Sequence, residues 1–313
     1  MSRPEPSLLH VPTACGALAL WDWCASGTKE SNIVLIHAAG LHARCWDEVV
    51  RRLPVTFRCI CIDMFGHGRS DTPAVEQVNW RPMASALLAA LAAVGLEPQD
   101  VAVLAGHSMG GWICAVAAAL SLQPFPGLLL IDPVIQPLDK YGPPFTSESD
   151  RWAQVVRQMT ERRRDAFEGP ADMFERFKGR QPYAVWHPQV LRDYCDHGLS
   201  APSSGRESSW RLLCRPALEA SLYPAASRWD AEISQELAVL AQRRQPVTIL
   251  RAPSIEGGQP FEGSQTDPAL AARLGSGAVD IFMEHVNHFI PMTHPDEIAK
   301  HLQRLASPAR SCL

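Results

Sequence analysis

The chain of 313 residues has a net charge of −4, with 20% charged and 46% hydrophobic side chains, which is enough apolar material for one large core plus an insertion. It has no basic excess to draw in nucleic acid, no apolar run approaching the ~18 residues of a membrane span, and no stretch in MSRPEPSLLH resembling an export signal. Nine scattered cysteines without a C-x-x-C pair fit reduced thiols, so a cytoplasmic protein is expected.

In chain order, Leu18 to Trp23 alternates large and polar residues and is predicted as an early strand. Ile33 to Ile36 is a fully buried strand ending in His37-Ala38-Ala39-Gly40, a loop of small residues whose backbone N–H groups can approach a ligand unobstructed. His37 is expected to brace that loop by hydrogen bonding. Phe57 to Ile62 is a further strand. Asp63 and the glycines after it form a structured turn, assigned to scaffolding. Met83 to Val94 is an alanine- and leucine-rich helix stopped by Gly95 and Pro98.

The densest signal is Val101 to Gly111. An apolar strand breaks directly into Gly106-His107-Ser108-Met109-Gly110-Gly111 and then into the helical run WICAVAAAL. In such a G-x-S-x-G turn the serine sits in a strained conformation at the tip, and the flanking glycines let strand and helix approach each other. The following helix N-terminus points unpaired N–H groups at the same spot. Ser108 is therefore the candidate nucleophile, and the N–H groups of Ala39 and Met109 are the candidate oxyanion hole.

Leu128 to Ile131 is a strand ending at Asp132-Pro133, and the alternation of strands and helices up to this point indicates a mostly parallel sheet flanked by helices. Beyond Asp132 the texture changes to amphipathic helices between proline- and glycine-marked loops, among them Ala171 to Phe177, Pro188 to Cys195 and Pro216 to Tyr223. Residues 134–234 are expected to form an inserted all-helical cap on a core made of 1–133 and 235–313. Within the cap, Arg162 to Arg164 is read as a solvated helix face, with anion binding as the alternative. Trp152, Phe174 and Trp186 are apolar residues expected to shape a pocket.

The sheet resumes at Pro246 to Arg251 and closes with Val279 to Met283, which leads into Glu284-His285-Val286-Asn287-His288 and a final helix, Pro295 to Leu305. A serine hydroxyl needs a base within hydrogen-bond reach, itself oriented by a carboxylate. His288, on the loop between last strand and last helix, is the candidate base. A metal site from His285, His288 and His294 fits the spacing but has no accompanying carboxylate helix motif, so neither a metal nor a cofactor is expected.

HAAG (37–40), DMFGHGRSD (63–71), GHSMGG (106–111), IDP (131–133) and NHFIPMTHP (287–295), in that order, make the chain resemble the α/β-hydrolase fold family over nearly its whole length. The resemblance implies Ser108 as nucleophile, His288 as base, Ala39 and Met109 as oxyanion donors, and a cap following the strand that ends at Ile131. Two departures stand out. Ala38 occupies a position where the family more often has glycine, and RAPSIEGG after the strand at Pro246 to Arg251 lacks the family's usual aspartate. Two acids then compete. Glu256 lies close to the usual position but one residue late, while Asp132 is fixed by a strand end beside the elbow and holds an imidazole more rigidly, so Asp132 is favoured.

The expected function is a serine hydrolase acting on an ester, thioester or lactone of a small apolar molecule through an acyl-enzyme. Two alternatives stand beside it: a carbon–carbon bond hydrolase using the same triad, and a ligand receptor on the same fold. A small molecule is the expected partner, with no nucleic acid and no membrane.

Overall fold

Apolar side chains alternate between the two faces of the central strands, and each face carries its own core. Leu104 packs on one side of the sheet and Val103 and Ala105 on the other; Leu128 and Leu130 separate from Leu129 and Ile131 in the same way. A strand covered on both faces reads as one apolar run, which is why these segments show no polar alternation in the sequence.

A computed structural model of the chain describes residues 3–24, 30–73, 79–137, 148–202, 209–255 and 261–307. Its first half holds β1 (Ser7–Thr13), β2 (Gly16–Trp23), β3 (Ser31–Ile36), α1 (Asp47–Arg51), β4 (Phe57–Asp63), α2 (Trp80–Ala93), β5 (Val101–His107), α3 (Met109–Leu120) and β6 (Leu128–Ile131). Then come α4 (Glu148–Glu161), β7 (Ala166–Phe167), α5 (Pro170–Phe177), α6 (Pro188–His197), β8 (Leu199–Ser200), β9 (Trp210–Leu212) and α7 (Pro216–Gln242). The chain closes with β10 (Val247–Arg251), α8 (Leu270–Leu274), β11 (Ala278–Phe282), α9 (Ile290–Thr293) and α10 (Pro295–Ala306).

The main sheet has eight strands in the order β1-β2-β4-β3-β5-β6-β10-β11. β2 runs antiparallel to β1 and β4, and every other pair is parallel. Helices α2, α3, α7 and α8 cover one face, and α1, α9 and α10 the other. The C-terminal ends of β3, β5 and β6 lie side by side at one edge of the sheet, where open parallel sheets bind their ligands.

The insert between β6 and β10 is not all helical. A three-stranded antiparallel sheet, β7-β9-β8, ties α4, α5 and α6 together through pairs such as Phe167 with Trp210 and Leu199 with Leu212. Strands of two or three residues carry no periodicity to read. The expected division at 234 also falls inside α7, which runs unbroken from Pro216 to Gln242. That helix places Glu219 toward the insert while Leu237 and Leu240 pack in the core of the main sheet, so insert and core share an element. No helix among the described residues is long and apolar enough to cross a membrane.

Candidate active site

Four strand ends supply the site. β5 passes into α3 through Ser108, whose φ of 56° and ψ of −117° put it in a conformation that side-chain-bearing residues seldom adopt. The turn closes because Gly106 and Gly110 meet there: a Cβ on Gly106 would overlap the Gly110 carbonyl, and one on Gly110 would overlap the Ile36 carbonyl of β3. The Ser108 N–H donates to the Ile131 carbonyl (3.0 Å), pinning the turn to the end of β6.

Asp132, the next residue, therefore sits beside Ser108 at zero exposure and also has positive φ, 41°. Its own N–H donates to the Leu250 carbonyl of β10 (2.7 Å). His288 hangs from the loop that links β11 to α9. Its Nδ1 lies 2.6 Å from Asp132 Oδ2 and its Nε2 lies 2.9 Å from Ser108 Oγ. The hydroxyl, imidazole and carboxylate form one hydrogen-bonded chain, and all three residues are buried.

Asp132 is oriented from its far side as well. Oδ1 accepts from the Ala252 N–H (3.1 Å) and from the hydroxyls of Ser264 and Thr266. Burial alone would push its carboxyl up, but the bond and charge of His288, together with these donors, outweigh that and hold it below the usual carboxylate range. The loop after β10 thus serves the carboxylate of the neighbouring strand. Glu256, the competing acid, lies outside the described residues.

His288 is held through its backbone and its ring. His107 Nε2–H donates to the His288 carbonyl (2.8 Å), so the histidine inside the elbow fixes the chain that carries the second imidazole. Phe261 stacks on the His288 ring at 5.6 Å between centroids, and Phe289 meets it edge-on at 5.7 Å. Two flanking aromatic faces leave the imidazole few orientations.

The loop after β3 is braced as expected. His37 donates from Nδ1 to the Ala38 carbonyl (2.8 Å) and accepts the Met64 N–H on Nε2 (2.9 Å). His67, which lies in the DMFGHGRSD stretch without an expected role there, braces the loop from the opposite side. It accepts the Gly40 N–H on Nε2 (3.0 Å) and bonds the Phe65 carbonyl through Nδ1 (3.0 Å). Asp63 is scaffolding, accepting from the N–H groups of Ala43 and Arg69 and from Trp21 Nε1. Between these fixed points, Ala39 and Met109 line a cavity with Ser108 and His288. Among the described residues no protein acceptor takes the N–H of either Ala39 or Met109.

These imidazoles are neutral by construction. Burial lowers His37 to about 4 and His42, His67 and His107 to about 3. An unfolded chain takes up a proton at each of them below about 6.5 while the folded one does not, so their stabilisation is present above that pH and lost as pH falls toward the folded values. The expected result is that unfolding free energy, measured by urea titration, falls from about pH 6.5 downward by on the order of 1 kcal/mol per pH unit for each imidazole. A flat profile between pH 7 and about 5 would mean that these rings meet solvent in the folded protein.

The cavity has a volume of about 210 Å³ and a mostly apolar wall that includes Trp80, Val134, Val156 and Phe289. Of the cap residues singled out in the sequence, Trp186 lines it. Phe174 packs instead within the cap, under the Arg192 guanidinium, and the Trp152 side chain lies outside the described ones. The arginine cluster needs correction at one position. α4 ends at Glu161, so Arg162 and Arg164 stay exposed while Arg163, past the helix end, turns into the cavity and pairs with Glu219. His285, His288 and His294 do not converge: His285 is exposed, His288 bonds Ser108 and Asp132, and His294 bonds Thr293. Among the described residues no group of three His, Cys, Asp or Glu side chains is arranged to hold a metal ion.

The sequence pattern of the alpha/beta hydrolase family matches residues 33–301, most of the chain. This protein belongs to that family. Its relatives include the monoglyceride lipase of Rattus norvegicus, 33% identical over 135 residues, and the lipase LipV of Mycobacterium tuberculosis, 26% identical over 283 residues. The first match spans 42% of this chain and 45% of the rat protein, the second 89% of this chain and 94% of the mycobacterial one. Among solved structures, E-2-(acetamidomethylene)succinate hydrolase superposes with a TM-score of 0.72 at 18% identity, covering 96% of this chain and 99% of that one. An esterase from Thermogutta terrifontis gives 0.65 at 20%, covering 96% and 100%. At these identities the superpositions establish the fold of this hydrolase-family member, and its chemistry must be argued from the site.

Proposed function

We propose that this protein is a serine hydrolase that cleaves a carboxylic ester, thioester or lactone of a small, largely apolar molecule through an acyl-enzyme on Ser108. The observation that carries the reading is the hydrogen-bonded chain from Ser108 through His288 to Asp132, opening onto an apolar cavity. As Ser108 Oγ adds to the carbonyl carbon, its proton passes to His288 Nε2. The negative charge that develops on the carbonyl oxygen is received by the N–H groups of Ala39 and Met109. Collapse expels the alcohol or thiol, which leaves with the proton from His288. Water, deprotonated by the same imidazole, then attacks the acyl-enzyme, and the acid is released as His288 returns that proton to Ser108 Oγ. Asp132 keeps Nδ1 protonated and Nε2 facing Ser108 throughout, and it stabilises the imidazolium formed in each half-reaction.

Relatives named as lipases support an ester as the scissile bond. A strained serine at a helix N-terminus and two N–H groups on the cavity wall that find no acceptor among the described residues are what acyl transfer requires. The test is covalent labelling by a fluorophosphonate, with the adduct mapped by mass spectrometry, alongside turnover of p-nitrophenyl esters of varied chain length. Labelling at Ser108 together with ester turnover is the expected result. A protein that binds such compounds without labelling or turnover would be a receptor on this fold.

A further inference from the structure

The cavity wall beside the loop after β3 carries a polar cluster that the acyl-transfer mechanism does not use, with the Glu219 carboxylate packed against Gly40. Arg163 lies past the end of α4, and its guanidinium pairs through Nη1 with Glu219 Oε2 in the first turn of α7. Its Nη2 reaches the hydroxyl oxygens of Tyr194 (3.2 Å) and Tyr183 (3.4 Å). Tyr223 donates its hydroxyl to the other Glu219 oxygen (3.1 Å). Arg163, Glu219 and all three tyrosines line the same cavity as Ser108. Among the described lining residues, Arg163 and Glu219 are the only full charges apart from whatever charge His288 carries.

The hydrogen-bonding directions of this cluster are fixed. A guanidinium can only donate, so Tyr183 and Tyr194 accept from it; the two phenols also hydrogen-bond each other, which uses one of their hydrogens and leaves the other for an incoming acceptor. Burial pushes both phenols up, so they remain O–H donors. Both Glu219 oxygens already accept, from Arg163 and from Tyr223, and the carboxylate is 5% exposed. The wall therefore offers donors while its one anion is engaged. An incoming carboxylate would put a second negative charge against a guanidinium already matched by Glu219, in a cavity with a mostly apolar wall. A hydroxyl or carboxamide oxygen takes the same donors without that charge.

We propose that the Arg163–Glu219–tyrosine cluster is a specificity site that selects ester substrates with an uncharged oxygen-bearing group that reaches it and rejects those with a carboxylate there. The proposal rests on the serine-hydrolase reading above and adds the substrate class. Glu219 sets the selection. With Glu219→Gln the guanidinium keeps its charge and loses its counterion, and the same wall becomes a carboxylate receptor.

The test reads binding, so that it is independent of turnover. Methyl esters of short- to medium-chain acids carrying an ω-hydroxyl, ω-carboxamide, ω-carboxylate or ω-methyl end are titrated by calorimetry into the Ser108→Ala protein and into the Ser108→Ala/Glu219→Gln double variant. In the first protein the hydroxyl and carboxamide ends should bind more tightly than both others, by about tenfold over the carboxylate. In the double variant the order should reverse, with the carboxylate ahead by a similar factor. Ser108→Ala/Arg163→Gln, which removes the donor and leaves Glu219, should bind the carboxylate worst of the three proteins. A carboxylate bound as well as the neutral ends when Glu219 is present, a methyl end bound best, no reversal in the double variant, or no binding by any ester would each overturn the proposal. Failure of the hydrolase reading shows separately, as absence of fluorophosphonate labelling in the unmodified protein.

Discussion

Ser108→Ala is expected to lower kcat for ester hydrolysis by about a millionfold and to abolish fluorophosphonate labelling in the same preparation. The size follows from the geometry. Oγ is the end of a chain whose other members are His288 and Asp132, and among the described residues His288 Nε2 has no other side-chain hydroxyl or thiol partner, so removing the oxygen should disable the proposed unit and leave only the oxyanion donors and the cavity. The substitution is mild for the fold. The hydroxyl has one side-chain partner, while the backbone bonds that hold the elbow, from Ser108 N to Ile131 O and from Trp112 N to Ser108 O, do not involve it. Alanine does inherit the positive φ, so a melting curve should accompany the kinetics. Activity within about tenfold of the unmodified protein would remove Ser108 from the reaction.

Asp132→Asn should cost about ten-thousandfold in kcat, as loss of a triad aspartate does by admitting the wrong imidazole tautomer. An asparagine amide turned toward His288 Nδ1 favours the ring with Nδ1 bare and Nε2 protonated, and that ring cannot take the Ser108 proton. Asparagine is also the substitution that best isolates this effect, because it tolerates the φ of 41° that Asp132 adopts and keeps an oxygen for Ala252, Ser264 and Thr266. Glu256→Gln is the comparison, with a small effect expected. If the large loss appears at Glu256 and the small one at Asp132, the acid comes from the loop after β10, and Asp132 is a structural turn.

How legible this site is in the sequence depends on how local each signal is. The elbow can be read because one strand, six turn residues and one helix are contiguous, and the structure places Ser108 where that order requires. Asp132 can be favoured on the rigidity of a strand end, yet only the pairing of β5 with β6 shows why it lies beside Ser108. Arg163 is hidden because three consecutive arginines look like a solvated face. The turn that starts after Glu161 separates the middle one from its neighbours, and nothing in the local sequence announces it. Glu219 is equally silent, a first-turn acid of the kind that suits any helix N-terminus. β1 escapes a sequence reading because six of its seven residues are not buried and so leave no apolar alternation. The helix expected over Pro216 to Tyr223 continues as α7 to Gln242, and its later turns pack Leu237 and Leu240 against the sheet.

His288 reaches the site from β11, one of the two edge strands of the main sheet, where Val279 and Phe282 are half exposed and only β10 is a hydrogen-bonded neighbour. Ser108 and Asp132, by contrast, belong to two adjacent central strands and lie close in the chain. As a ribosome delivers this sequence, Ser108 and Asp132 emerge before His288, so the proposed triad is completed only when the last strand pairs with β10. The same order holds in reverse under stress. Release of β11 from β10 would take His288 away from Ser108 and Asp132 while the central strands stay paired, so the proposed hydrolysis would be lost before the central sheet comes apart.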